Sequence, residues 1–251
     1  MAAADVVLSA RALGKRMGER SVLEGLSFEL RRGECLAVLG PSGAGKTTLI
    51  RCLSGQLVAD AGQVSLEGRE VAALAAVQRR RIAVVFQQFN LVGRLSALDN
   101  VLAGRLGHLA PWRGLLRRFT PHDRLLALQC LERVGMLGHA AQRADTLSGG
   151  QQQRVAIARA LAQQPGVILA DEPIASLDPG HGAAVLELLR DIARTEGVAV
   201  VCSLHQVDMA QRWADRILGL TAPGQALSLD AAALDEVMRS RLYGTTPSLA
   251  H

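Results

Sequence analysis

The chain has 251 residues, of which 49% are hydrophobic and 20% charged, and this composition excludes an intrinsically disordered protein. No uncharged apolar run approaches the roughly 18 residues that a membrane-spanning helix needs, and residues 1–5 lack the basic start of a secretory signal. The net charge of +5 permits contact with nucleic acid or anionic lipid, but the short basic clusters at 79–81 and 117–118 are typical of solvated helix faces.

The cysteines are widely spaced, without any Cys-x-x-Cys or metal-ligand spacing, and three of them lie in apolar stretches. They are Cys35, Cys52, Cys130 and Cys202. We therefore expect reduced cysteines in the core of a cytosolic protein.

The first third of the chain predicts strands of two kinds. Alternating apolar and polar residues are typical of half-buried strands, whereas continuous apolar runs indicate strands buried on both faces. The predicted strands lie at 6–13, 26–30, 35–39, 64–66 and 82–86. A turn at Gly18 separates the first two, and residues 72–81 predict a weak helix. These elements predict an α/β core with an antiparallel flank.

A glycine-rich loop joins the apolar strand at 35–39 to a helix that begins near Lys46. Its residues are Gly40, Pro41, Ser42, Gly43, Ala44, Gly45, Lys46, Thr47 and Thr48. Strand, glycine loop and helix form the context of a phosphate-binding loop, because glycines let backbone N–H groups turn towards an anion at a helix start. Lys46 would then reach the β- and γ-phosphates, and the Thr47 hydroxyl would hold Mg²⁺. A surface loop that matches by chance is the alternative; only two lysines occur in the chain, and one stands at this position.

Residues 90–163 predict helices, and we interpret them as a subdomain inserted into the α/β core. Thr120, Pro121 and Asp123 form a helix start, and the apolar face is expected to carry Leu125, Leu128 and Leu131. A second helix opens at Ser148, with a buried stripe of Val155, Ala158 and Ala162.

The start of this second helix allows two interpretations. Ser148 and Gln151 have the spacing of a capping box, which would explain them structurally. Ser148, Gly149 and Gly150 also offer a hydroxyl and N–H groups to an anion, and two adjacent glycines are a poor choice for helix initiation alone. We favour the phosphate site. Two phosphate-binding helix starts with one set of metal and base residues suggest a nucleotide shared between two copies of the chain.

The α/β pattern resumes after residue 163. Strands are predicted at 167–170 and 198–202, and a helix capped by Asp178 lies between them, with Val185, Leu188, Leu189 and Ile192 facing inward. Beyond Thr221 we predict a turn at 223–224 and a short helix at 232–241.

Polar residues stand where several of the apolar strands end, which is the edge where parallel sheets bind ligands. Asp171 would bind Mg²⁺ and Glu172 would accept a proton from the attacking water, although acids after a strand can simply begin a loop. His205 could contact the γ-phosphate or be structural. Gln87, a weak signal alone, could sense the metal and link it to the helical block.

These motifs together resemble, in order and spacing, those of the ATPases of ABC transporters. The matching stretches are Gly40–Thr47, Gln87, Leu147–Gln151, Val167–Glu172, Ala175–Asp178 and His205. The resemblance implies a RecA-like P-loop NTPase core at 1–87 and 164–251, with the helical signature subdomain at 88–163. It also implies a head-to-tail homodimer with two ATP molecules, each between the phosphate loop of one copy and Ser148–Gln151 of the other, with Asp178 beside it.

The same resemblance implies partners. ATP-driven closure would act on integral membrane permease subunits docked near Gln87–Asn100, at the cytoplasmic face of the inner membrane, and indirectly on a periplasmic or extracellular solute-binding protein. Nucleic acid is not an expected partner, because the DNA-acting ABC ATPases carry coiled-coil or zinc insertions, and the stretch from Gln87 to Ser148 is too short for them. Translation-type ABC factors need two motif sets, and this chain has one.

Among ABC ATPases, the chain looks most similar to those of phosphonate importers. The similarity lies in Phe86–Val92, Arg94–Ser96, Pro111–Arg113, Leu147–Leu161, Ile168–Pro179 and Ser203–Asp208. Phosphate, phosphite or another small solute is the alternative cargo. Family members usually place an aromatic residue near Met17 to stack on adenine; methionine can also cover a ring, but GTP use is then harder to exclude.

Overall fold

The computed structural model describes residues 6–109, 114, 116, 118–221, 226–231 and 234. These residues form two β-sheets and seven α-helices among the described part of the chain. The strands are β1 (Val6–Met17), β2 (Arg20–Arg31), β3 (Cys35–Leu39), β4 (Ala61–Leu66), β5 (Arg69–Glu70), β6 (Ile82–Val85), β7 (Val167–Asp171), β8 (Ala199–Ser203), β9 (Arg216–Leu220) and β10 (Ala226–Asp230).

The helices are α1 (Lys46–Leu53), α2 (Ala76–Arg79), α3 (Ala97–Ala103), α4 (Pro121–Arg133), α5 (Gly149–Leu161), α6 (Pro179–Glu196) and α7 (Val207–Trp213). Short 3₁₀ turns lie at Val71–Ala73, Leu106–His108, Leu137–His139 and Ala144–Thr146. Within the described residues, no helix is long and apolar enough to cross a membrane.

The antiparallel flank is a four-stranded sheet with the order β2-β1-β4-β5. β1 and β2 are longer than the predicted strands at 6–13 and 26–30, and they meet at a tight turn in which Met17 pairs with Arg20. Gly18 has a φ of 63° there, which a glycine adopts without strain. The prediction of an antiparallel flank is confirmed.

The core is a six-stranded sheet with the order β10-β9-β3-β8-β7-β6. The strands from β9 to β6 are parallel, whereas β10 pairs antiparallel to β9. Both faces are covered, because alternate residues of β3 enter different apolar clusters, with Cys35 and Leu39 on one face and Leu36 and Val38 on the other. Burial on both faces explains the continuous apolar runs in the sequence.

The helical block predicted between β6 and β7 contains α3, α4 and α5, and it includes one buried ion pair. Arg105 Nε donates to Asp123 Oδ1 at 3.0 Å, and the same guanidinium donates to the Ala162 carbonyl, so the pair joins the regions around α3, α4 and α5. Burial alone would raise the pKa of Asp123, but hydrogen bonds from Thr120 and Arg105 outweigh it and lower that pKa. Thr120 is the N-cap of α4 as predicted, and it also forms a capping box with Asp123.

Some predictions about local structure were wrong. The α4 side chains that lie buried are Asp123, Ala127 and Leu131, whereas Leu125 points outward and is 56% exposed. The weak helix at 72–81 is reduced to a 3₁₀ turn and the four-residue α2. β10 was missed.

Other predictions concern parts of the chain beyond the described residues. The turn at 223–224, nearly all of the helix at 232–241 and the stretch at 111–113 lie outside the described residues. One member of the basic cluster at 117–118 does so as well.

Candidate active site

The predicted phosphate loop lies between β3 and α1, at the carboxyl edge of the parallel sheet. Gly45 is the N-cap of α1 and has a φ of 100°, and a Cβ at this position would come within 2.9 Å of Val22. Only glycine fits such a position. The start of α1 has no side-chain cap and no acid in its first turn. Its N–H groups and positive dipole end therefore suit an anion.

Lys46 is held at this loop and is only 5% exposed. Its Nζ donates to the carbonyl oxygens of Gly40 at 2.8 Å and Pro41 at 3.2 Å. Burial lowers the pKa of Lys46, while the negative charges of Glu172 and Asp171 act in the opposite direction. The ammonium group is therefore fixed where it can contact a phosphate group in the loop.

Thr47 and Asp171 come together, as the sequence predicted. Thr47 Oγ1 donates to Asp171 Oδ1 at 3.3 Å. A hydroxyl and one carboxylate are the hard oxygen donors that Mg²⁺ takes, with waters and substrate phosphates completing its shell. No group of three or more His, Cys, Asp or Glu side chains among the described residues could hold a metal by itself. The donors present therefore fit Mg²⁺ bound together with a nucleotide rather than an all-protein metal cage.

Glu172 and His205, which the sequence analysis treated separately, lie next to each other in the structure. His205 Nε2 lies 2.6 Å from Glu172 Oε1, within hydrogen-bonding distance. Glu172 has a φ of 48°, the left-handed region that is uncommon for residues other than glycine. The carboxylate lines the same cleft as Lys46 and Thr47, so it can reach a water molecule beside a bound phosphate.

The cleft beside the phosphate loop has a volume of about 350 Å³. Met17, which is 54% exposed, lines its rim together with Arg20 and Val22. The sequence analysis singled out Met17 but missed Arg20, whose place in the cleft follows from the β1–β2 pairing of these two residues.

The Ser148 segment is built as a capped helix start and does not line the cleft beside the phosphate loop of the same chain. Gln151 N–H donates to Ser148 Oγ at 3.3 Å, and Ser148 N–H donates to Gln151 Oε1 at 2.9 Å. The neighbours of Gly149 are Leu177 and Phe89. The capping box is therefore present, and an anion site at the start of α5 stays a prediction.

Asp178 lies next to this segment through His181. Asp178 accepts hydrogen bonds from the backbone N–H of His181 at 3.1 Å and from its ring Nδ1 at 2.6 Å. These bonds lower the pKa of Asp178. The His181 ring in turn packs against Gly150, so Asp178 and the Ser148 segment share one surface.

Gln87 is not joined to the metal-binding pair. Its side chain is exposed, and it forms no hydrogen bond with any residue that the structure describes. The segment that follows it is anchored differently: Arg159 in α5 donates to the carbonyls of Phe89 at 2.8 Å and Asn90 at 2.6 Å. Gln87 therefore lies at the entry to a segment held by α5.

Ser203 is a site residue that the sequence analysis missed. It ends β8, is completely buried, and bonds to Asp171 and to the backbone of Glu172. A serine at the carboxyl end of an apolar strand, two residues before His205, was the available signal.

A parallel sheet with a glycine loop at its carboxyl edge, beside paired hydroxyl and carboxylate oxygens, defines a P-loop NTPase. The family model described as ABC transporter matches residues 23–175, more than half of the chain. The chain belongs to the ABC transporter family and is a nucleotide-binding ATPase of that family.

Curated relatives and a solved structure resemble nearly the whole chain. The chain is 44% identical over 241 residues to the phosphonates import ATP-binding protein PhnC 1 of Rhodopseudomonas palustris, covering 94% of this chain and 89% of the relative. It is 48% identical over 240 residues to the phosphate-import ATP-binding protein PhnC of Mycolicibacterium smegmatis, covering 93% and 91%. A dimeric ATP-binding cassette bound to ADP and phosphate matches with a TM-score of 0.74 and 31% identity, covering 89% and 98%.

Another relative is longer than this chain. The chain is 49% identical over 220 residues to the hypophosphite import ATP-binding protein HtxD of Stutzerimonas stutzeri, and the match covers 86% of the chain but only 64% of that relative.

Proposed function

We propose that this chain is the ATP-hydrolysing subunit of an importer for phosphonates. The observation that carries the proposal is the convergence of Lys46, Thr47, Asp171, Glu172 and His205 at the phosphate loop. The names of the relatives support the cargo, since several are phosphonate import ATP-binding proteins that match more than nine-tenths of this chain.

Each residue has a defined task in hydrolysis. The loop Gly40–Thr48 binds the phosphates through its N–H groups, and the Lys46 charge stabilises negative charge that develops during transfer. Thr47 and Asp171 would hold Mg²⁺, which would neutralise charge on the nucleotide phosphates. Gln87, which is exposed and bonds to neither of them, would have to approach this pair to serve as a further ligand. Glu172 accepts the proton of the attacking water, and His205 orients the Glu172 carboxylate and contacts the γ-phosphate.

The complete site requires a second copy of the chain. Ser148, Gly149, Gly150 and Gln151 of one copy, with Asp178, would cover the nucleotide on the phosphate loop of the other. Ser148, Gly149, Gly150 and Gln151 do not line the cleft beside the phosphate loop of their own chain, which supports this arrangement, as does the likeness to a dimeric cassette. Residues 1–87 and 164–251 act as the nucleotide-binding core and residues 88–163 as the signature subdomain.

The dimer would work at the cytoplasmic face of the inner membrane as a peripheral subunit. Integral membrane permease subunits would dock near Gln87–Asn100, where the apolar side chain of Val92 is 54% exposed. A solute-binding protein on the other side of the membrane would act only through the permease.

The cargo has a second candidate class. Two relatives are named for import of phosphate and of hypophosphite, which share with phosphonates a small tetrahedral phosphorus oxyanion. ATP is the proposed nucleotide, and because Met17 rather than an aromatic residue lines the cleft, GTP belongs in the same test.

Reconstitution tests the proposal directly. The chain would be co-purified with a candidate phosphonate permease, placed in liposomes with the matching solute-binding protein, and assayed for nucleotide hydrolysis. We expect methylphosphonate to stimulate ATP hydrolysis, with Glu172→Gln as the inactive control. Stimulation by phosphate or hypophosphite alone would overturn the phosphonate assignment, and failure to co-purify with any permease would overturn the importer.

A further inference from the structure

Ser203 is a buried polar side chain at the centre of the proposed catalytic edge. It is the last residue of β8, with no exposed surface, and β8 lies between β3, which leads into the phosphate loop, and β7, which carries Asp171. The register pairs Asp171 with Ser203 directly. The hydroxyl therefore sits between two of the strands that carry the site.

This single hydroxyl bonds to both acidic residues. Ser203 Oγ donates to Asp171 Oδ1 at 2.9 Å, the oxygen that also accepts from Thr47 Oγ1 at 3.3 Å. The same Ser203 Oγ accepts the backbone N–H of Glu172 at 2.8 Å. Its donor and acceptor capacities are thus both used, one on the proposed metal ligand and the other on the proposed general base.

The N–H that bonds to Ser203 Oγ belongs to Glu172, a residue with an unfavourable backbone conformation. Glu172 has a φ of 48°, and a non-glycine residue keeps such a conformation only where surrounding contacts fix it. Further along the same strand end, His205 contacts the carboxylate of Glu172 at 2.6 Å. Ser203 therefore fixes the backbone of Glu172, while His205 acts on its side chain.

We propose that Ser203 is a positioning residue that orients the Asp171 carboxylate towards the metal and holds Glu172 in its left-handed conformation. The inference rests on the proposed roles of Asp171 and Glu172. Ser203 itself touches neither nucleotide nor metal in this assignment. Outer partners of metal ligands typically change metal affinity or activity by about 10- to 100-fold when removed.

The strand end does not depend on the hydroxyl for its own position. The backbone N–H of Leu204 donates to the Val38 carbonyl at 3.0 Å, and β8 pairs with β3 and β7 along its length. Ser203→Ala should therefore leave β8 in place and remove only the two bonds. Cys202→Ala is the matched control, because Cys202 is the adjacent, equally buried residue of β8 and its thiol donates to the Ser203 carbonyl rather than to either acid.

The experiment compares the parent, Ser203→Ala and Cys202→Ala as full-length chains. Hydrogen–deuterium exchange is first measured without nucleotide or metal, on peptides that contain the Glu172 amide. Ser203→Ala should speed exchange there by about tenfold or more, because that N–H loses its acceptor, while Cys202→Ala should match the parent. ATP hydrolysis is then measured against Mg²⁺ concentration, and ATP affinity is measured by equilibrium binding.

For Ser203→Ala we expect the half-saturating Mg²⁺ concentration to rise about tenfold and kcat to fall by a similar factor, with ATP affinity within about twofold of the parent. Parent-like exchange and parent-like Mg²⁺ dependence would overturn the inference while leaving the ATPase intact, and so would equal effects of Cys202→Ala. A parent chain that does not hydrolyse ATP would overturn the proposed function instead, and the exchange measurement would still decide whether Ser203 holds Glu172.

Discussion

The molecule contains two glycine-bearing helix starts that look alike in sequence and differ in structure. The start of α1 has Gly45 as its N-cap and no side-chain cap. The start of α5 has Ser148 as its N-cap, with a complete capping box to Gln151. The first therefore leaves its N–H groups to an external anion, whereas the second is a stable helix end before any ligand arrives.

Their surroundings differ as well. The α1 start opens into a cleft with Glu172, and Thr47 beside it bonds to Asp171. The α5 start is bordered by Phe89, Leu177 and His181. In the proposed assignment, the metal ligands and the general base belong to the α1 start only, so the two starts would be unequal halves of a shared site, one for chemistry and one for closure.

The largest expected effect comes from removing the base of the α1 half. Glu172→Gln should reduce ATP turnover by about 10²- to 10⁴-fold, because the amide cannot accept a proton, while ATP binding persists and traps the dimer. Turnover is measured by phosphate release and dimerisation by size-exclusion chromatography with ATP. Glu187→Gln, at an exposed position of α6, is the control. Hydrolysis by Glu172→Gln at the parent rate would show that the base is another residue.

Lys46→Ala should lower turnover by about 10²- to 10³-fold, because it removes the fixed charge at the loop. The chain has one other lysine, Lys15, which is paired with Asp60 at 2.9 Å on the antiparallel sheet. Lys15→Ala therefore serves as a matched control and should keep parent activity. If Lys46→Ala and Lys15→Ala hydrolyse ATP at the same rate, the assignment of Gly40–Thr48 as the phosphate loop is wrong.

A mixing experiment tests whether the two halves come from different copies. Lys46→Ala damages the α1 half and Ser148→Arg blocks the α5 half, so each pure variant should be inactive. Mixed in equal amounts they should regain roughly a quarter of the parent activity, because random pairing makes half of the dimers mixed and each of these has one intact site.

A second mixture is the control for this test. Lys46→Ala and Glu172→Gln lie in the same half, so every site of their mixed dimer still carries one defect. This mixture should stay inactive. If the Lys46→Ala and Ser148→Arg mixture recovers no more activity than this control, the site is not shared.

The smallest expected effect is at the rim of the cleft in the α1 half, where Met17 is proposed to contact the adenine ring of the nucleotide. Met17→Ala should weaken ATP binding by about two- to tenfold, since a thioether contact with an aromatic ring contributes on the order of 1 kcal/mol. Met17→Tyr should strengthen it. Titration with ATP and GTP measures both changes, and Leu137→Ala, at an exposed position of the helical block, is the control. If both Met17 variants bind ATP and GTP with parent affinity, the nucleobase does not contact Met17.

Most of the fold could be predicted from the sequence because its signals are local. Continuous apolar runs mark strands buried on both faces, such as β3 and β8, and Thr120 and Ser148 mark helix starts by their own capping spacing. Leu125 shows the limit of such reasoning. Its apolar character suggested burial, but the face of α4 that is buried was decided by the ion pair of Asp123 with Arg105, a partner 18 residues away.

The candidate site likewise contains residues that could be predicted from local sequence and one residue that could not. Lys46 and Thr47 were predicted from the glycine loop at a helix start, and Asp171, Glu172 and His205 from the ends of apolar strands; the structure places these residues at one edge of the sheet. Ser203 was missed because its importance depends on register: it faces Asp171 only because β8 pairs with β7 in one particular alignment. A register is set across the sheet, so the sequence of one strand does not reveal it.

The two guanidinium hydrogen bonds of Arg159 have a mechanical consequence. α5 is a 13-residue helix, about 20 Å long, with Ser148 at one end and Arg159 in its last turn gripping the carbonyls of Phe89 and Asn90. In the proposed dimer, ATP would bind to the first turn of α5, and a rigid helix moves at both ends together. A movement of the Ser148 end caused by ATP binding would thus displace Phe89 and Asn90, in the segment proposed to dock on the permease, through one rigid helix.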